Sequence, residues 1–241
     1  MAHQLYPSGK WVNFGDSMSG WFTSGFQATA NAAYTTLGSP SVVGPTVPTM
    51  IVTPAIPSLV KGASGAPANF APTYFDAGVA GNTIAMLQAR VASDVLARVP
   101  LPTDVFINCG INDLIAVTTP AAMEAAAIAL LNTLSAGGIP AARVTWFGIW
   151  CYGEEYPDAT WGVSVDLRNT ALQAACVNRG ANFLDVRPTQ QAYEAIHNIP
   201  PPGVVSGITT VDGIHWNAAG LSLITSLVLD NVIFNGRVSG M

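Results

Sequence analysis

Five short apolar runs, each closed by turn residues, punctuate the chain. They are 11–14 (WVNF), 73–76 (TYFD), 104–108 (DVFIN), 144–150 (VTWFGIW) and 182–186 (NFLDV). None alternates cleanly between apolar and polar positions. Each therefore reads as a strand buried on both faces, as in a parallel sheet. Between them lie segments with helical periodicity. Residues 82–98 place Ile84, Leu87, Val91, Val95 and Leu96 at helical spacing. Residues 120–136 start on Pro120, which suits a first helical position, and stop at Gly137-Gly138. Residues 165–179 stop at Gly180, and 217–234 start on Asn217, a good N-cap, with Leu221, Ile224, Leu227, Val228 and Val232 on one face. Strands alternating with helices predict βαβ units and an α/β sheet covered on both faces. In such sheets ligands sit beyond the carboxyl ends of the strands, so the strand-to-helix junctions are where chemistry is expected.

Three stretches break the alternation. Residues 38–72 form a Pro/Gly/Thr/Ala-rich insertion without repeats, read as one long loop in an otherwise single domain spanning 1–241. Residues 151–164 (CYGEEYPDATWGVS) and 198–211 read as two further loops, the second holding Pro200, Pro201 and Pro202.

Composition narrows the function classes. Charged residues make up 10% of the 241 positions, well below the average of about 25% for soluble domains. The formal net charge is -5 and there are only two lysines, Lys10 and Lys61, so no basic patch favours nucleic acid as a partner. No apolar stretch is long enough for a membrane span, and the first residues carry neither the basic nor the apolar region of a signal peptide. The low charge favours an extracellular or particle-associated setting without fixing the compartment, and an oligomer is left open. Cys109, Cys151 and Cys176 have no metal-ligand spacing and read as buried small side chains. A Cys109–Cys151 bridge would require neighbouring strands.

The junctions carry a constellation. Gly15-Asp16-Ser17 follows the first strand and Gly78-Val79-Ala80-Gly81-Asn82-Thr83 the second. Gly110-Ile111-Asn112-Asp113 follows the third, and Asp212-Gly213-Ile214-His215 precedes the last helix. A serine hydroxyl needs an adjacent base to act as a nucleophile, and a histidine serves if a third group fixes its tautomer. Asp212 lies three residues before His215, close enough for its carboxylate to reach back to the imidazole. The oxyanion that forms on attack needs aimed donors. Ser17 and Gly81 offer backbone N–H groups and Asn112 its side-chain amide.

These four segments, in this order, resemble the SGNH (GDSL-type) hydrolase family. FGDS at 14–17 is similar to its serine block, GVAGNT at 78–83 to its glycine block, GIND at 110–113 to its Gly-x-Asn-Asp block and DGIH at 212–215 to its Asp-x-x-His block. The resemblance implies a three-layer α/β/α sandwich with a five-stranded parallel, flavodoxin-like sheet. It implies Ser17 as nucleophile, His215 as general base, Asp212 as its partner, and an oxyanion hole from Ser17 N–H, Gly81 N–H and Asn112 Nδ2. It implies an esterase that needs no cofactor and no metal. Met18 stands where the family often has Leu, a change of little consequence. Ser19 breaks the G-x-S-x-G pattern of the α/β-hydrolase elbow.

The remaining candidates read as structural. Asp16 is expected to hold its loop by accepting backbone N–H groups, and Asp113 to brace the helix that follows it. His3 and His197 carry no chemistry, and Trp146 and Trp150 belong to the core. Trp161 and Trp216 are core residues that could also line a cleft. A metal site built from Asp16, Asp113, Asp212 and His215 is disfavoured, because no further His or Cys pattern supports it. The expected substrate is a small-molecule or carbohydrate ester with a short acyl chain, acetyl esters included. The alternatives are an acyltransferase using the same acyl-enzyme, a lipid or lysophospholipid esterase, and a non-catalytic glycan-binding module on the same fold.

Overall fold

A computed structural model describes residues 9–19, 49–51, 73–150 and 158–196, together with Leu223 and Leu227. The elements, in chain order, are β1 (Lys10–Gly15), β2 (Thr49–Ile51), β3 (Thr73–Gly78), α1 (Ile84–Val91, continued by a π-helical turn at Ala92–Leu96), β4 (Asp104–Asn108), α2 (Ile111–Ile115), α3 (Pro120–Ala136), β5 (Val144–Phe147), α4 (Asp158–Arg179), β6 (Asn182–Leu184) and α5 (Arg187–Ile196). The sheet order is β2-β3-β1-β4-β5-β6. Five strands are parallel, and β2 joins β3 antiparallel at one edge. Without β2 the order is that of flavodoxin-like sheets, with the switch point between β1 and β4.

All five expected parallel strands are present. Their burial explains the missing alternation: every residue of β4 and β5, and every residue of β1 after Lys10, is buried. Register puts Val12 beside Val105 and Phe14 beside Ile107, with Val144 and Trp146 continuing the row. The chain crosses from β3 to β4, from β4 to β5 and from β5 to β6 in one direction along the sheet. Right-handed crossovers then place α1, α3 and α4 on one face, and α3 packs against both α1 and α4. Ile84, Leu87, Val91, Leu130, Leu134 and Leu172 meet the Val12–Phe14 row there. On the opposite face Trp11 meets Phe106 at 5.5 Å between ring centroids, and Phe106 stacks on Phe147 at 6.1 Å.

Helix ends follow local chemistry. Thr119 Oγ1 accepts from Ala122 N at 3.2 Å and caps α3, with Pro120 at the first helical position. Gly138 at φ +96° and Gly180 at φ +71° take the left-handed conformation that ends α3 and α4.

Three expectations need correction. The insertion at 38–72 is not wholly loop, because β2 lies inside it. The fourth strand ends at Phe147, not at residue 150. The helix expected at 165–179 begins at Asp158, so half of the expected loop 151–164 is helical. Cys109 and Cys176 are free, buried thiols, as expected, and Cys109 forms no bridge to Cys151. Cys151, His3, His197, Trp216 and the 198–211 loop lie outside the described residues. So does the 217–234 helix, apart from the helical Leu223 and Leu227.

Candidate active site

Three strands end level. Gly15 pairs with Gly78 on one side and Asn108 on the other, so β1, β3 and β4 release their chains at one edge of the sheet. This edge is the carboxyl side of the switch point. The serine block, the glycine block and the Asn112 block all begin there.

Gly15 is required by space. A Cβ on it would lie 2.0 Å from the Asn108 carbonyl oxygen and 2.2 Å from Ser19 Oγ. That close approach lets Asp16 N donate to Asn108 O at 3.1 Å and Val79 N to Gly15 O at 3.0 Å. The chain then turns. Met18 N donates to Asp16 Oδ1 at 2.9 Å and Ser19 N to Asp16 O at 3.2 Å. Ser17 opens a helical turn and is half-buried, while Met18 packs into the interior. Asp16 thus holds the loop by accepting a backbone N–H, as expected.

Gly81 sits in the exposed turn closed by Asn82 N donating to Val79 O at 3.2 Å. Its φ of +78° favours glycine. Its own N–H makes no hydrogen bond among the described residues. Asn112 lies in the first turn of α2, behind Gly110 at φ +136°. Its Nδ2 donates to Asn82 O at 3.0 Å and, more weakly, to Asp16 Oδ2 at 3.3 Å. One amide therefore ties the serine, glycine and asparagine blocks together. Asp113 is also a brace, but for a different helix from the one expected. Its Oδ2 accepts from Ile84 N at 3.0 Å and caps the start of α1.

Burial sets the local electrostatics. It pushes the Asp16 carboxyl up to about 7, with the Asp113 charge adding to the rise and the Met18 N–H opposing it. Burial likewise raises Asp113 to about 6. The Cys109 thiol is held well above its ordinary value by burial and by both acids. It is an inert neighbour whose Sγ donates to Asn82 O at 3.5 Å. Trp146 and Trp150 are buried, and Trp146 Nε1 donates to Cys109 O at 3.1 Å.

Ser17, Gly81 and Asn112 are thus on one edge. Asp212 and His215 lie outside the described residues. Two residues escaped the sequence reading: Asn82, whose carbonyl anchors Asn112, and Arg90. Arg90 donates to Asn82 Oδ1, Ala77 O and Gly15 O at the same loops. The available signal was a cation in the middle of a helix in a chain with nine basic residues.

The model of the GDSL-like lipase/acylhydrolase family matches residues 42–222. The chain belongs to that family. The matched region of this acylhydrolase-family chain contains the glycine, asparagine and Asp-x-x-His blocks, and Ser17 precedes it. No curated protein sequence matches the chain. Among solved structures, the acetyl xylan esterase AlAXEase is similar, with a TM-score of 0.66 and 19% identity, over 93% of this chain and 100% of that one. An acetylxylan esterase from Geobacillus stearothermophilus has a TM-score of 0.63 and 18% identity, over 95% of each chain. At these identities the likeness is one of fold. Among the described residues no helix is long and apolar enough to cross a membrane.

Proposed function

We propose that this chain is a serine ester hydrolase that works through an acyl-enzyme on short-chain acyl esters, O-acetyl groups on a carbohydrate included. The observation that carries this reading is the shared strand edge, where Asn112 Nδ2 bonds both Asp16 beside Ser17 and Asn82 beside Gly81.

Ser17 Oγ attacks the ester carbonyl while His215 accepts its proton and Asp212 holds the imidazole. The tetrahedral oxyanion is met by Ser17 N–H, Gly81 N–H and Asn112 Nδ2. The 3.0 Å bond to Asn82 O anchors the Asn112 amide, and the longer contact to Asp16 is the one the oxyanion replaces. His215 returns the proton to the leaving alcohol. A water molecule, deprotonated by the same histidine, then attacks the acyl-Ser17 carbonyl and releases the acid.

The acetyl preference draws support from the fold relatives, whose names specify acetyl xylan and acetylxylan. Two structures of the Geobacillus stearothermophilus enzyme are catalytic mutants, one at a serine and one at a histidine. The test is hydrolysis of p-nitrophenyl esters from acetate to laurate near pH 8. Acetate is expected to be cleaved fastest, with Ser17→Ala at least about a thousandfold slower. A rate that rises with acyl length beyond about six carbons, at variance with a pocket built for small groups, contradicts the short-chain assignment. Unchanged activity in Ser17→Ala contradicts the nucleophile.

A further inference from the structure

At the strand edge, one guanidinium contacts both the end of the strand that leads into Ser17 and the turn that holds Gly81. Arg90 projects from the last turn of α1. Its Nη2 donates to Gly15 O at 2.5 Å, immediately before Asp16-Ser17. Its Nε donates to Asn82 Oδ1 at 2.7 Å, immediately after Gly81. Its Nη1 donates to Ala77 O on β3 and to Asp94 Oδ2, each at 2.7 Å. The guanidinium carbon stands 4.6 Å from the centroid of the Phe14 ring on β1. Four donor–acceptor contacts thus come from a planar group that has five N–H donors in a fixed fork.

We propose that Arg90 is a positioning residue that sets the spacing between the Ser17 loop and the Gly81 turn, and so the aim of the oxyanion donors. This rests on the serine hydrolase reading above. The two loops meet directly through the Val79 N to Gly15 O bond at 3.0 Å and indirectly through Asn112. Arg90 adds a rigid bridge, and it grips the carbonyl that also receives Val79 N. The bridge is itself held. Asp94 pairs with Arg90, and Ser93 Oγ donates to Asp94 Oδ1 at 2.8 Å. Both residues lie in the π-helical turn, which extends α1 so that Asp94 faces Arg90 one turn away. A lysine at position 90 would supply a point charge, which cannot reach Gly15, Ala77 and Asn82 at once.

The experiment compares Arg90→Lys and Arg90→Ala with the wild type, reading kcat, KM, amide hydrogen exchange and rescue by millimolar guanidinium. Misplacing a donor by about 1 Å costs about 100-fold in rate. Arg90→Ala is therefore expected to lose about that factor in kcat with KM changed less than about threefold. Faster exchange at the Asp16 and Val79 amides, unaltered exchange in α3, and partial return of kcat with guanidinium are expected to accompany the loss. Arg90→Lys should be impaired without rescue. A kcat within threefold of wild type with unchanged exchange overturns the proposal. So does a loss accompanied by faster exchange throughout α3, which marks a role in global stability alone. If the wild type cleaves no ester, the hydrolase reading fails on its own. The exchange data then decide whether Arg90 couples the two loops.

Discussion

Asp16, Asp76 and Asp113 show how single residues at the strand edge exact a cost in stability. Burial is the largest cause in each case, raising the three carboxyls from 3.8 to about 7, about 6 and about 6. A carboxyl whose folded value lies above its unfolded one binds more protons in the folded state between the two values. Its contribution is complete below about pH 4 and is lost as pH rises through the folded values. The melting temperature is therefore expected to fall between about pH 4 and about pH 7. Asp16→Asn should flatten the upper part of that slope, because Asp16 has the highest value of the three. The same substitution sets an amide against the Asn112 amide, so activity should fall as well. Thermal melts across the pH range check this, and a melting temperature that rises from about pH 4 to about pH 7 contradicts it.

Whole elements follow from simple sequence signals where Gly and Pro punctuate an apolar period. Both ends of α3 are read correctly from Pro120 and Gly137-Gly138, and the end of α4 from Gly180. The start of α4 was obscured because Thr160 and Gly162 are poor helix formers that break the apolar stripe. Helix α5 went unrecognised because RPTQQAYEAI has few aliphatic side chains. β2 is three residues long, too short to show a period. The Asp113 brace was legible as a structural acid, but its partner was not. Ile84 lies 29 positions away in sequence, and only the β3-α1-β4 crossover brings the two together. Asp113→Ala leaves the Ile84 N–H at the start of α1 without its acceptor. A loss of about 1–3 kcal/mol is expected in urea unfolding. A change below about 0.5 kcal/mol, the range of ordinary surface substitutions, contradicts the brace.

At the scale of the molecule, the flavodoxin-like strand order turns residues scattered along the chain into one edge. Alternation of strands and helices predicts that edge, and the serine, glycine and asparagine blocks point to which residues occupy it. The tie between them, Asn112 to Asp16 and Asn82, depends on backbone geometry that no spacing reveals. The Arg90 bridge depends in addition on the register of β1 against β3. In the function proposed above, an acylhydrolase-family chain with few charged residues acts on a neutral ester, and Ser17 is the proposed nucleophile. Labelling the wild-type protein with a fluorophosphonate and locating the adduct by peptide mass spectrometry tests that directly. The account predicts a single adduct on Ser17, absent from Ser17→Ala and sharply slowed in His215→Ala. An adduct on another residue, or ester hydrolysis by a protein whose Ser17 stays unlabelled, would contradict it.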